Sequence, residues 1–128
     1  MTSDDLKERT MRFAVRVLRL AEAIPSTVSG QTIARQVARS GTSVAANYRA
    51  ALRGKSRADF INKITMVLEE ADETEFWSEL GERVGVVEGS RIAGLRAEAE
   101  ELVRIFAATR RTARQAQGKE SQIMNPPS

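Results

Sequence analysis

Residues 39–80 read RSGTSVAANYRAALRGKSRADFINKITMVLEEADETEFWSEL, and the fold is decided by the rhythm inside this stretch. Ser40/Gly41, Val44, Tyr48 and Ala51/Leu52 step by three and four, as on one face of a helix. Gly54 then interrupts, and Ser56-Arg57-Ala58-Asp59 resembles a capping box with Asp in the fourth position. Phe60, Ile64, Val67, Leu68 and Ala71 open a second run with the same rhythm. Two helices, about 31–53 and 56–84, joined by so short a turn must be antiparallel neighbours. Gly54 has the place of a helix-ending glycine.

Working outward, Leu6, Thr10, Phe13, Val17, Leu20 and Ile24 predict a first helix over about 4–24, stopped by Pro25. On the other side Gly85 ends the long helix. Ile92, Leu95, Ala99, Leu102, Phe106, Thr109 and Ala113 predict a fourth over about 89–114. No stretch alternates as a strand would. The fold expected is all-α, an antiparallel up-and-down four-helix bundle over residues 1–116. Residues 117–128, QGKESQIMNPPS, are polar, end in Pro-Pro and read as a disordered polar tail.

Composition narrows the chemistry. The 128 residues include no cysteine and no histidine, so thiolate sites, disulfides, Cys nucleophiles and Ser-His-Asp triads are excluded and zinc nearly so. No cofactor is expected. No apolar run approaches the roughly 20 residues that span a bilayer, and the N-terminus lacks the pattern of a signal peptide. The expectation is a cytoplasmic protein with no membrane partner. A net charge of +3 permits an anionic partner without arguing for one.

Three features exceed a plain bundle. On a wheel of about 100° per residue, Arg35, Arg39, Arg49 and Arg53 of the second helix fall within roughly a quarter of the circumference, opposite its apolar face. Lys55, Arg57 and Lys63 extend the stripe around the turn. Such a stripe either tracks a phosphate backbone or is a solvated face answered by acids of a neighbouring helix. No aromatic residue stands among the arginines to stack bases. Ser40-Gly41-Thr42-Ser43 lies mid-helix, where its amides are already bonded, so it reads as a close-packing seam rather than a phosphate loop.

The third feature is the second half of the long helix. Its core face continues through Ala71, Thr74, Ser78 and Gly81, all small, while Phe76, Trp77, Leu80 and Val84 fall on roughly the opposite side. Either the helix changes phase, or this second face packs against another copy. Phe76, Trp77 and Leu80, with Asp72 and Glu75, are the candidate oligomer interface. Asp72, Glu75, Glu79 and Glu82 share one side by the same wheel. They could hold a divalent cation through oxygen, or pair with arginines within or between subunits.

These residues carry a resemblance. Arg39 to Val44, Ala46 to Arg49, Lys55-Ser56 with Phe60, and Glu70 to Glu73 with Trp77 resemble the bacterial four-helix-bundle family first named for proteins encoded in intervening sequences of 23S ribosomal RNA genes. The resemblance implies a left-handed antiparallel bundle, a ring-forming homopentamer and no enzymatic activity. A related branch, the accessory proteins of diversity-generating retroelements, binds nucleic acid and a reverse transcriptase through a basic surface. This chain differs from that branch in its mild net charge and acidic third helix. The expected function is a self-assembling, non-enzymatic scaffold or binding module. The alternative is an RNA- or DNA-binding accessory protein using Arg35, Arg39, Arg49, Arg53, Lys55 and Arg57.

Overall fold

The computed structural model describes residues 1–124 and places four helices in sequence: α1 (Ser3–Glu22), α2 (Val28–Leu52), α3 (Arg57–Arg83) and α4 (Gly89–Met124). Among the described residues there is no strand. α1 packs on α2, α2 on α3 and α3 on α4, while α1 and α4 meet more sparsely. This is the expected antiparallel four-helix bundle, with α1 and α3 diagonally opposed.

The helix ends follow from local chemistry. Thr2 caps α1: its hydroxyl accepts from the Asp5 amide at 3.1 Å while the Asp5 carboxylate accepts from the Thr2 amide at 2.8 Å, a reciprocal capping box. α2 starts at Val28 rather than Gln31, because the Thr27 hydroxyl accepts from the Gly30 amide at 3.0 Å. A side chain on Gly30 would collide with the Pro25 carbonyl oxygen, so the α1–α2 turn requires glycine there. At α3 the Ser56 hydroxyl accepts from the Asp59 amide at 3.1 Å. Asp59 reaches back to the Lys55 amide at 3.4 Å instead of to Ser56, which leaves only half of the expected box.

The left-handed glycine is Gly85, at φ 79°. Val86 donates to the Gly81 carbonyl at 3.0 Å and Gly85 to that of Glu82 at 3.1 Å, which together close α3 with a Schellman motif. Gly54 does not play this part at the end of α2. It is glycine because a Cβ there would stand 3.1 Å from the Ala51 oxygen and 3.3 Å from the Phe60 nitrogen.

α4 departs most from expectation. It continues ten residues past Arg114, to Met124, where 117–128 was expected to be a disordered tail. Gln115, Ala116, Gln117, Lys119 and Glu120 are good helix formers. The Arg57 guanidinium at the start of α3 also holds the Glu120 carboxylate at 2.7 Å. Residues 125–128 lie outside the described residues.

The core is built as the rhythm implies. Leu6, Thr10, Phe13, Val17, Leu20 and Ile24 are buried, as are Ile33, Val37, Val44, Tyr48 and Ala51, and Ile92, Leu95, Ala99, Leu102, Phe106 and Ala113. In α3 the first buried position is Ile61, with Phe60 and Leu68 only half-buried, as is Thr109 of α4. The helix then keeps its phase, so Ala71, Thr74, Ser78 and Gly81 all point inward. Small residues there let backbones approach: the Thr74 and Ser40 hydroxyls meet at 2.9 Å across the α2–α3 contact. At Gly41 a Cβ would lie 2.5 Å from Val17 Cγ1, so α1 and α2 touch main chain to side chain. The Ser40-Gly41 run is a packing seam.

Candidate interaction surfaces

With small residues inside, the bulk of α3 is displaced outward. Phe76 is 54% exposed, and Val84 and Met66 stand exposed along the same side. Trp77 and Leu80 are half-buried and lean on the core. The Phe76 and Trp77 rings meet edge to face, with centroids 5.0 Å apart, and the Trp77 Nε1 donates to Glu73 at 3.2 Å. The indole is therefore pinned while Phe76 projects into solvent.

A second exposed apolar row runs along α1. Met11, Val15 and Leu18 are each 42% exposed. Their spacing of four and three places them on the face opposite Leu6, Phe13 and Val17. Sequence reading missed this row, although that spacing was its signal: the stronger core seam of the same helix masked it.

The structure separates the acids grouped by the wheel. Glu75 and Glu82 turn towards α4 and share Arg96, at 3.8 and 3.6 Å. Glu79 pairs with Arg83 one turn on, at 3.0 Å. Asp72 is exposed and has no ion pair among the described residues. Asp72 therefore lies beside Phe76 while Glu75 does not. Among the described residues no three carboxylates converge as a metal site.

Glu75 is held above the usual carboxylate range, first by burial and then by the neighbouring Glu100 carboxyl. The Arg96 pair pulls the other way. At 3.8 Å it is too long to be a strong charge-assisted bond, so desolvation wins.

The arginine stripe is exposed and its members have different fates. Arg39 reaches across to α3 and takes both Glu70, at 3.3 Å, and Glu73. Its guanidinium, by hydrogen bonding, holds the Glu73 carboxyl below the usual range. Arg57 is engaged by Glu120. Arg35, Arg49, Arg53 and Lys55 are exposed, and none has an ion pair among the described residues.

A family model described as 23S rRNA-intervening sequence protein matches residues 4–108. The chain belongs to this family. No curated protein matches this chain. Among solved structures it is similar to a protein of unknown function from the S23 ribosomal protein family of Bacteroides thetaiotaomicron VPI-5482. The two are 32% identical with a TM-score of 0.80, over 87% of this chain and 99% of that one. The family has no assigned activity to carry over from that relative. No helix among the described residues is long and apolar enough to cross a membrane.

The Glu75 environment makes the stability of this chain sensitive to pH in a defined direction. A carboxyl with a raised folded-state pKa favours folding fully when protonated, and that contribution is lost as pH rises through the folded value. Glu75→Gln should therefore raise the thermal midpoint modestly at pH 7. The gain should shrink towards pH 4, as the wild-type carboxyl takes up its proton. Parallel melts at the two pH values check this, and an equal effect at both would contradict it.

Proposed function

We propose that this chain is a non-enzymatic, self-assembling scaffold or binding module, a homopentamer whose contact surface centres on Phe76, Trp77 and Leu80. The observation that carries the reading is Phe76. A phenyl ring more than half exposed, beside a pinned indole and in line with Val84 and Leu80, is apolar surface that a lone soluble domain gains nothing by exposing. A ring and an indole at a contact are also the side chains that most often dominate association energies.

Sedimentation at micromolar concentration tests the reading. The wild-type chain should sediment with the mass of five copies. Phe76→Glu should sediment as a single chain while keeping its helical circular dichroism, since Phe76 adds little to the core. A wild-type protein that sediments as a clean monomer would sink the proposal.

The arginine stripe favours a nucleic-acid role less. Arg39 is occupied by Glu70 and Glu73. The one aromatic residue of α2, Tyr48, is buried in the core against Phe106, so no ring is available on that face to stack a base.

A further inference from the structure

We infer that the far half of α4 forms, with the start of α3, a docking groove for an acidic amphipathic helix of a partner protein, laid along the line that α1 leaves empty. This gives a binding module a partner of stated chemistry, and it stands apart from the self-assembly reading.

A four-helix bundle gives each helix a neighbour on either flank, and α1 is too short to serve α4 along its whole length. Arg9 holds Glu98 through two guanidinium nitrogens, at 2.8 and 2.7 Å, which sets the level of this antiparallel pair. From Arg9 the helix descends only to Ser3, so it runs out beside Arg104. α4 goes on to Met124, about 30 Å further at 1.5 Å per residue. α3 stays alongside it as far as the Arg57–Glu120 pair at 2.7 Å. α2 is diagonal to α4, and their backbones do not meet.

What α1 leaves behind is a groove of about 460 Å³. Arg57 and Phe60 form its α3 wall, and Ala108, Thr112, Ala113 and Ala116 its floor on α4; no residue of α1 or α2 lines it. Ala108 and Thr112 are exposed, and the Phe60 ring is half-buried. From Ala108 to Ala116 the floor is about 12 Å long, or two helical turns. Such short side chains let a helix axis come within the roughly 8–10 Å of ordinary helix packing. The Thr109 hydroxyl is spent on the Ile105 carbonyl at 3.0 Å, and the Arg57 guanidinium on Glu120. The interior therefore meets an occupant with methyl groups, a ring and the Thr112 hydroxyl, which suits an apolar stripe better than a chain of phosphates.

Charge selects the margins of that occupant. Between Glu101 and Glu120, α4 carries Arg104, Arg110, Arg111, Arg114 and Lys119 and no acid. By helical spacing Arg104, Arg111 and Lys119 share the exposed edge of α4 beside Ala108. Arg111 and Lys119 have no ion pair among the described residues. The acids nearest the groove are already engaged: Glu101 by Arg104 at 2.8 Å, Glu120 by Arg57, Asp5 by the Thr2 amide and Asp59 by the Lys55 amide. Asp4 lies on the other flank, beside Lys7 and Arg49. A helix with leucines on one face and carboxylates at its margins is matched on both counts.

The probe is a fluorescein-labelled peptide of about 16 residues with capped ends, Leu at helical spacing on one face and Glu elsewhere. By anisotropy the full chain should bind it at least about tenfold more tightly than a peptide with the same residues scrambled, or one with Lys in place of Glu. Ala108→Gln with Thr112→Gln fills the groove at two exposed positions. It should weaken binding at least about tenfold and leave the melt unchanged. Arg111→Glu with Lys119→Glu should weaken it as much and flatten its salt dependence. If the groove-filled variant binds like the wild type, the contact is charge alone and the assignment falls. It falls equally if the probe does not bind at about 100 µM protein, or if duplex DNA binds wild type and groove-filled variant alike and more tightly than the probe does. If Phe76→Glu binds the probe while an assembled wild type does not, a second copy covers the groove and the partner helix is ruled out. A monomeric wild type that binds the probe ends the self-assembly reading and leaves this one standing. Should the double Gln variant lose its helical circular dichroism, Ala108→Gln alone takes its place.

Discussion

Gly41→Val will cost about 3 kcal/mol or more and lower the thermal midpoint by roughly 10 °C. The added Cβ would stand 2.5, 2.7 and 2.8 Å from three carbons of Val17. Val17 is fully buried and β-branched, so it has no alternative rotamer into which to retreat. Neither backbone can yield alone, because both belong to long, capped helices. Removing a glycine from a helix would ordinarily help by about 1 kcal/mol, and that gain is too small to offset the collision. The internal control is to shorten the opposing residue. Gly41→Ala alone should destabilise, and adding Val17→Ala should recover part of the loss, a non-additivity expected only of residues in contact. A Gly41→Val protein that melts with the wild type would show that α1 and α2 are not so closely apposed.

Phe106→Ala should cost about 3–5 kcal/mol, out of the 5–15 kcal/mol that holds a domain of this size together. Phe106 has no solvent exposure, and its ring stands 5.1 Å from that of Tyr48. It is the largest side chain that α4 places in the core. Truncation leaves a void that Leu102 and Tyr48 cannot fill without leaving their own contacts. Urea unfolding should move to a lower midpoint with little change in slope. A loss under about 1.5 kcal/mol would mean that the centre of the bundle repacks easily. The same ring deletion at Phe76 should change monomer stability far less, since that ring lies outside.

Much of the fold was legible because three helices carry unbroken three-four seams. Leu6 to Ile24, Ile33 to Ala51 and Ile92 to Ala113 repeat without a polar interruption larger than Ser or Thr, and short turns leave one arrangement. The phase of α3 was left open by the sequence, and the structure keeps it: Thr74, Ser78 and Gly81 fill interior positions because α2 comes very close. The errors lie where a local hydrogen bond overrides composition. Val28-Ser29-Gly30 reads as a loop until Thr27 is seen to cap it. Gly54 and Gly85 look alike as helix stops, and which one turns left-handed depends on the residues that follow. The polar end of α4 reads as tail because its partner, Arg57, is distant in sequence.

The surfaces were harder to read. The wheel found Phe76, Trp77 and Leu80 because they conflict with the core face of their own helix. It placed Glu75 with Asp72 because adjacent wheel positions differ by less than the reach of Arg96, which draws Glu75 away. The fate of Arg39 depended on Glu70 and Glu73, two turns of a neighbouring helix whose register no single helix reveals.

The small residues that α3 turns inward also set how stability responds to temperature. Ala71, Thr74, Ser78 and Gly81 bring little hydrocarbon into the interior, while Phe76, Val84 and Met66 keep theirs in water. Unfolding a lone chain therefore exposes less new apolar surface than its length suggests, and the heat-capacity change that bends a stability curve is correspondingly small. Cold weakens such a chain only gently, and heat weakens it along a straighter line. Where those outer rings become covered by a second copy, the missing heat capacity reappears as a property of the contact. The curvature of the assembled protein's stability is then carried in larger part by its contacts, while the fold beneath loses stability on heating along a straighter line.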